Sequence, residues 1–186
     1  MEPLTHKGTV TLETERLILR RFTVEDADVM FRNWASDPEV ARYTTWEPHP
    51  DAAFTRTLLS MWVAGYAEAS VYNWCITLKE SGEPIGSIGT VGMAEAHLSV
   101  EVGYCVSRAM WGKGVMPEAL RAVMAFLFNE VQVNRIAAKH DIRNAKSGRV
   151  MEKCGMQYEG TMREIMFTKG EFATGKLYAI VKSDIL

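Results

Sequence analysis

The chain is poor in cysteine, in long apolar runs and in any excess of charge. Its 3 cysteines are Cys75, Cys105 and Cys154. The number is odd and no two form a C-x-x-C pair. A disulfide framework or a zinc site is therefore not expected, and reduced thiols in the cytoplasm fit better. The four histidines, His6, His49, His97 and His140, form no ligand-spaced pair, so no metal site is expected. No stretch approaches the ~18 apolar residues of a membrane span. Met1–Lys7 is too polar to open a signal peptide. Lys and Arg number 21 against 23 Asp and Glu, a formal net charge of −2. With no basic excess, nucleic acid is not an expected partner. Internal repeats, low-complexity tracts and long linkers are also missing.

What remains is a sequence of 186 residues, 47% hydrophobic and 24% charged, which reads as one globular domain. The expected domain is 1–186, with a structured core over about 11–182. That length can bury a core without disulfides or metals.

Arg16–Arg21 mixes apolar residues with arginines and reads as a first strand. Thr23, followed by Glu25 and Asp26, suits a helix start. That helix carries Ala27, Met30, Phe31 and Trp34 on one face and stops near Ser36–Pro38. Val40–Pro50 is a loop of aromatics and prolines. Asp51 caps a second helix to about Ala67, with Phe54, Leu58, Leu59 and Trp62 on one face. Val71–Leu78 and Ile85–Val91 form a hairpin across the Glu80–Glu83 turn, and His97–Val106 is a further strand. Pro117–Glu130 is a strongly apolar helix, Arg135–His140 a buried-type strand, and Asn144–Cys154 a helix ended by Gly155. Met156–Thr168 and Leu177–Lys182 suggest a last hairpin around Lys169–Gly170. The order β α α β β β α β α β β predicts an α/β (α+β) fold. One mixed, mostly antiparallel sheet is flanked by about four helices. The β–α–β piece from Val100 to His140 requires one parallel pair.

The strongest local signal is Trp111-Gly112-Lys113-Gly114-Val115-Met116, between a strand and a helix. Glycines let the backbone turn tightly and approach a ligand. The following helix aims its unpaired N–H groups and positive dipole end at the loop. Together these suit phosphate oxygens, and Lys113 and Arg108 add positive charge at the mouth. A plain strand-to-helix turn is the competing reading. The loop is not a Walker motif, since neither Ser nor Thr follows Lys113, and G-x-G-x-x-G is absent.

Four segments resemble the GNAT superfamily of N-acetyltransferases, and more closely the branch containing the RimJ and RimL ribosomal-protein amino-terminal acetyltransferases. They are Glu13–Arg21 (ETERLILRR) followed by Glu25-Asp26, Glu101–Val106 (EVGYCV), Trp111–Ala119 (WGKGVMPEA) and Asn144–Met156 (NAKSGRVMEKCGM). They span nearly the whole chain in the family's order. In the superfamily pattern Q/R-x-x-G-x-G/A, Trp111 takes the first position, Gly114 the glycine and Met116 the last.

The resemblance implies acetyl-CoA as cosubstrate, held by Trp111, Gly112, Lys113, Gly114, Val115 and Met116. It implies that Tyr104-Cys105-Val106 pairs its backbone with the pantetheine arm. Asn144 and Ser147 match an N-x-x-S helix start that also meets pantetheine, and Lys153 matches a basic position near that helix's end. Other branches place an acidic tyrosine seven residues after the asparagine. Met151 stands there, so the role of proton donor to the leaving thiolate falls to Ser147.

Acetylation requires a neutral amine, and direct attack in a ternary complex needs no covalent enzyme intermediate. A backbone N–H near Val106 suits the acetyl oxygen. Glu101, on the strand leading to the acetyl site, is the candidate base, with Glu47 second. Tyr43, Trp46 and Tyr104 are candidates to line the acceptor pocket. Cys105 and Cys154 lack a His context for nucleophilic catalysis and read as buried small residues. The expected acceptor is a protein N-terminal amine. The alternatives are a small-molecule amine (amino acid, polyamine or antibiotic), drawn by Glu47 and Asp51, or a CoA-binding regulator without catalysis. A monomer or a homodimer is expected.

Overall fold

A computed structural model describes residues 3–185. Of the span 1–186 expected to form one domain, positions 1, 2 and 186 lie outside the described residues. The chain opens with β1 (Leu12–Glu13) and β2 (Leu17–Arg20). A composite helical stretch follows: a 3-10 turn at Val24–Asp26, α1 (Ala27–Met30) and a π turn at Phe31–Ala35. Then come α2 (Pro38–Ala41), α3 (Ala52–Gly65), β3 (Asn73–Leu78), β4 (Pro84–Ala94) and β5 (Ser99–Val106). The chain continues with α4 (Val115–Phe126), β6 (Arg135–Asp141), α5 (Ala145–Lys153), β7 (Gln157–Thr168) and β8 (Glu171–Val181).

All eight strands form one sheet in the order β1-β2-β3-β4-β5-β6-β8-β7. Every neighbouring pair is antiparallel except β5 and β6. That one parallel pair spans α4, as a crossover requires. The expected α/β fold is therefore found, with five helices rather than about four.

Strand alternation divides the core in two. On one face α4 and α5 cover Leu17, Leu19, Trp74, Ile76, Ile88, Val100, Val102, Ile136 and Ala138. Within the apolar stretch expected as a helix at Pro117–Glu130, Ala119, Leu120, Val123, Met124, Phe126, Leu127 and Phe128 are buried there. Each fully buried Leu or Phe contributes about 1.5–3 kcal/mol. On the other face Phe22, Ala27, Met30, Trp34 and Leu59 pack with Cys75.

Several elements differ from expectation. The second long helix buries Thr55 and Leu59, while Phe54 is exposed and packs edge-on to His49 at 4.9 Å. The chain after Pro38 is not all loop, because Asp37 accepts from the Glu39 N–H at 2.9 Å and caps the short α2. Pro117–Glu130 is not one straight helix. It starts two residues earlier and passes into a π turn at Leu127–Val131. Gly155 has φ +82°, the left-handed geometry expected of it after a helix.

No helix among the described residues is long and apolar enough to cross a membrane. The described residues hold no cluster of His, Cys, Asp and Glu able to take a metal, and all three cysteines are free.

Asp26 ties the second layer to the sheet. Its carboxylate takes two bonds from Arg20 at 2.8 Å and one from the Thr23 N–H at 2.8 Å. Burial opposes its charge, but Arg20 and Thr23 outweigh that and hold the carboxyl below the ordinary range. A depressed folded value gives stability that is full above the unfolded value of ~3.9. That stability is lost as pH falls through the folded value. Asp26→Asn is expected to lower the melting temperature near pH 7 by roughly 5 °C. The difference from wild type should shrink below about pH 4. Thermal melts across pH measure both.

Candidate active site

β5 and β6 are paired at three positions only: Ser99 with Arg135, Val100 with Ile136, and Glu101 with Ala137. Beyond these the strands part. β5 stays on β4 through Val106, while β6 stays on β8 through Asp141. A gap opens with the backbone of Gly103–Val106 along one side. The first turn of α5 lies beside it. Extended backbone whose polar groups lack a strand neighbour is suited to pair with a ligand.

The bulge that accompanies this gap sits one strand over. Between Thr90 and Gly92 the β4–β5 register shifts and leaves Val91 as the extra residue. Its side chain lies over Gly103, where an added Cβ would come within 2.8 Å of it. A side chain at Gly103 would therefore displace that of Val91, which is exposed on β4.

Beyond β5 the chain makes a 3-10 turn at Arg108–Met110 and enters the glycine loop. Gly112 has φ +76° and Gly114 φ +74°, a region that favours glycine. Gly114 is the residue before α4, and nothing lies within 4 Å of where a Gly112 side chain would stand. The first-turn N–H groups of α4 face this space without intrahelical partners. The Met116 side chain is buried in the core, so its bulk does not enter the loop. An open, N–H-lined cradle of this kind fits a pyrophosphate.

Arg16 and Glu118 hold the loop, and sequence reading assigned them no such role. Arg16 donates to the Lys113 carbonyl at 3.0 Å and to Glu118 at 2.7 Å. Glu118 also accepts from Thr14 at 2.6 Å and from the Arg16 N–H at 2.9 Å. Burial would raise the Glu118 carboxyl, but these bonds outweigh it and set it low. The only sequence hint was that Arg16 and Glu118 both fall in segments matching the family.

The charges at the mouth differ from expectation. Arg108 does not offer its charge freely, because it pairs with Asp37 at 3.0 Å. Among the described residues Lys113 makes no ion pair. Lys146, in the first turn of α5, stands 4.6 Å over the Trp111 ring. The Trp111 indole donates to the Val106 carbonyl at 3.1 Å and so spends that acceptor. At the far end of α5, Cys154 donates to the Pro117 carbonyl at 3.4 Å, and Arg121 donates to the Lys153 carbonyl at 2.7 Å. These bonds set Lys153 beside the first turns of α4.

Asn144 caps α5, its side chain accepting from the Ser147 N–H at 3.4 Å. The Ser147 hydroxyl lies 3.1 Å from the Tyr104 hydroxyl. Tyr104 follows Val100 and Val102 onto the α4–α5 face, so it does not stand with Trp46 on the other side of the sheet. Glu101 and Cys105 alternate to that other side. Glu101 is bound to Lys139 at 2.9 Å, a pairing the sequence did not reveal.

That second side is closed by the aromatic loop and the β7–β8 hairpin. His49 is bonded to Thr55 at 2.8 Å, and its N–H to the Ala35 carbonyl at 2.8 Å. Thr168 donates to the Thr44 carbonyl at 3.4 Å, and Lys169 to the Ala41 carbonyl. Tyr43 lies under Arg143 at 5.8 Å. Glu47 is drawn to Lys169 at 3.9 Å, and Asp51 accepts from the Phe54 N–H at 2.7 Å. Burial pushes the thiol of Cys105 up, and that of Cys154 up to about 11, which leaves both poor nucleophiles.

A hydroxyl thus stands on one face of the sheet and a carboxylate on the other, with the open glycine loop at one end of the gap. The model of the Acetyltransferase (GNAT) domain matches residues 16–157. An uncharacterized N-acetyltransferase, p20, from Bacillus licheniformis is 33% identical over 174 residues, covering 94% of this chain and 97% of its own. The [ribosomal protein uS5]-alanine N-acetyltransferase of Escherichia coli is 24% identical over 182 residues, covering 94% of this chain and 92% of its own. The crystal structure of a GNAT-family acetyltransferase from Bacillus anthracis superposes with a TM-score of 0.82 at 25% identity, over 94% of this chain and 99% of that one. Acetyltransferases of this family use acetyl-CoA as cosubstrate. With the domain model covering most of its length, the chain belongs to the GNAT acetyltransferases.

Proposed function

We propose that the protein acetylates a primary amine, most suitably the N-terminal amine of a protein, by direct attack within a ternary complex. The observation that carries this reading is the parting of β5 and β6 after Glu101 and Ala137, with the glycine loop and the α5 first turn at its edges. Acetyl-CoA brings an acetyl thioester that is already activated and leaves as a thiol.

In this reading Gly112, Gly114, Val115 and Met116 hold the pyrophosphate with backbone N–H groups, Trp111 and Lys113 flank it, and Lys153 adds charge nearby. The backbone of Tyr104, Cys105 and Val106 lines the pantetheine arm, and Asn144 borders it. Ser147 donates a hydrogen bond to the departing sulfur. Glu101 takes the amine proton from the opposite side of the sheet, directly or through water. Lys139 fixes where the Glu101 carboxylate points.

The N-terminal-amine preference draws on the E. coli relative, whose name gives a ribosomal-protein alanine as its acceptor. The chemistry agrees, since an α-amine titrates near ~8 and a lysine amine near ~10.4, so the former needs only a modest base. A polyamine acceptor is less suited. Its attraction was expected from Glu47 and Asp51, but Glu47 leans to Lys169 and Asp51 caps α3. A panel of free-amine peptides and small amines, assayed with acetyl-CoA by release of free thiol, tests the function. Peptides should be turned over ahead of polyamines, and no thiol release from any acceptor would end the proposal.

Three substitutions test the roles. Arg16→Ala frees the loop and should weaken CoA binding by about tenfold in calorimetry, a loss of charged hydrogen bonds. Ser147→Ala should lower kcat by about tenfold or more while CoA affinity holds; a change confined to KM would make Ser147 a binding residue. Glu101→Gln should lower kcat and remove the acid limb of the pH–rate profile. A rise in KM alone would mean that Glu101 only attracts the acceptor.

A further inference from the structure

The Ser147 hydroxyl has one side-chain partner among the described residues, and it comes from across the gap. The Tyr104 hydroxyl lies 3.1 Å from Ser147 Oγ and 3.1 Å from the Ser147 carbonyl oxygen. The single hydrogen of this phenol is thus within reach of two acceptors on one residue. Its ring packs against the α4–α5 core and leaves β5 within the stretch that has lost its pairing to β6. A tyrosine that only filled space there would need no hydroxyl. One that only sought an acceptor would be served by the carbonyl alone.

We propose that Tyr104 is a positioning residue that aims the Ser147 hydroxyl into the gap between β5 and β6, where the leaving sulfur departs. This inference rests on the role given to Ser147 above. A serine hydroxyl in the first turn of a helix is a free rotor. Left alone it can turn back onto a carbonyl of the preceding turn. The Tyr104 hydrogen, shared between the Ser147 carbonyl and Oγ as a three-centre bond, occupies one lone pair of Oγ and leaves the serine hydrogen free to point outward. A hydroxyl that accepts a hydrogen bond also becomes a better donor. Burial pushes the Tyr104 phenol well above its ordinary value, so it stays protonated at neutral pH and can donate. No O–H bond of Tyr104 breaks in this arrangement. The amine gives up one proton through Glu101 and the sulfur gains one through solvent, so the count closes without it.

Tyr104→Phe keeps the ring and removes only the hydroxyl. With acetyl-CoA and an alanine-started peptide, or the best acceptor of the amine panel, kcat should fall about three- to tenfold. The KM for acetyl-CoA and the calorimetric affinity for CoA should not change. The double variant with Ser147→Ala should be no slower than Ser147→Ala alone, since the phenol then has no hydroxyl to aim. An impaired Ser147→Ala beside an unimpaired Tyr104→Phe overturns this inference alone. Additive losses in the double variant do the same, as does a Tyr104→Phe defect confined to CoA binding. Wild-type kcat in Ser147→Ala overturns the Ser147 role and this inference with it.

Discussion

β5 and β6 keep three paired positions and then each follows a different neighbour, β4 on one side and β8 on the other. The rest of the site depends on that parting. Parallel strands joined by a helix are ordinarily buried between neighbours, with every backbone group paired. Here the pairing is given up over half of β5, which is costly unless another partner supplies the hydrogen bonds. The glycine loop and α5 are placed where that partner would enter. In the proposed function the gap binds by a withheld strand rather than by an added pocket.

The two faces of the sheet then divide the labour. Alternation along β5 sends Tyr104 toward α5 and Glu101 and Cys105 toward the aromatic loop. A one-residue slip would exchange these directions and leave Glu101 in the core. The bulge at Val91 and the close approach at Gly103 pin that register. The same logic explains the company around the loop. Arg16 and Glu118 join the first strands to α4, and Lys146 over Trp111 joins α5 to the glycine loop. The cradle is held from three directions, with its own side almost bare of side chains.

Much of this was legible in the sequence because it is local. The glycines at 112 and 114, the Asn144 cap, the Gly155 stop and the apolar face of α4 each follow from a few neighbouring residues. The order of elements also forced the parallel pair. What was not legible is what depends on distant partners. β1 is two residues long and exists because β2 is there to pair with it. The stretch from Glu171 is strand because β7 pairs with it, with β6 joining only from Gly175, so the return strand of the last hairpin begins earlier than its own pattern indicates. The π turn after Phe126 leaves the apolar run intact and therefore gives no signal. Arg16 reaches a loop some hundred positions away, and Lys139 finds Glu101 from another strand. No motif encodes either.

The closure of the acceptor side has a consequence for how the chain matures. Its two fastenings, Thr168 to Thr44 and Lys169 to Ala41, join residues 124 and 128 positions apart. The hairpin that supplies them is held by β6, whose outer edge is covered by β8, near the end of the chain. Contacts of such long sequence separation are made late, after nearer ones have repaid their entropy. On a chain still being synthesised, α4 and the glycine loop can be in place before the β7–β8 hairpin reaches the aromatic loop. The wall made by the aromatic loop and the β7–β8 hairpin is therefore complete only once the last strands are in place.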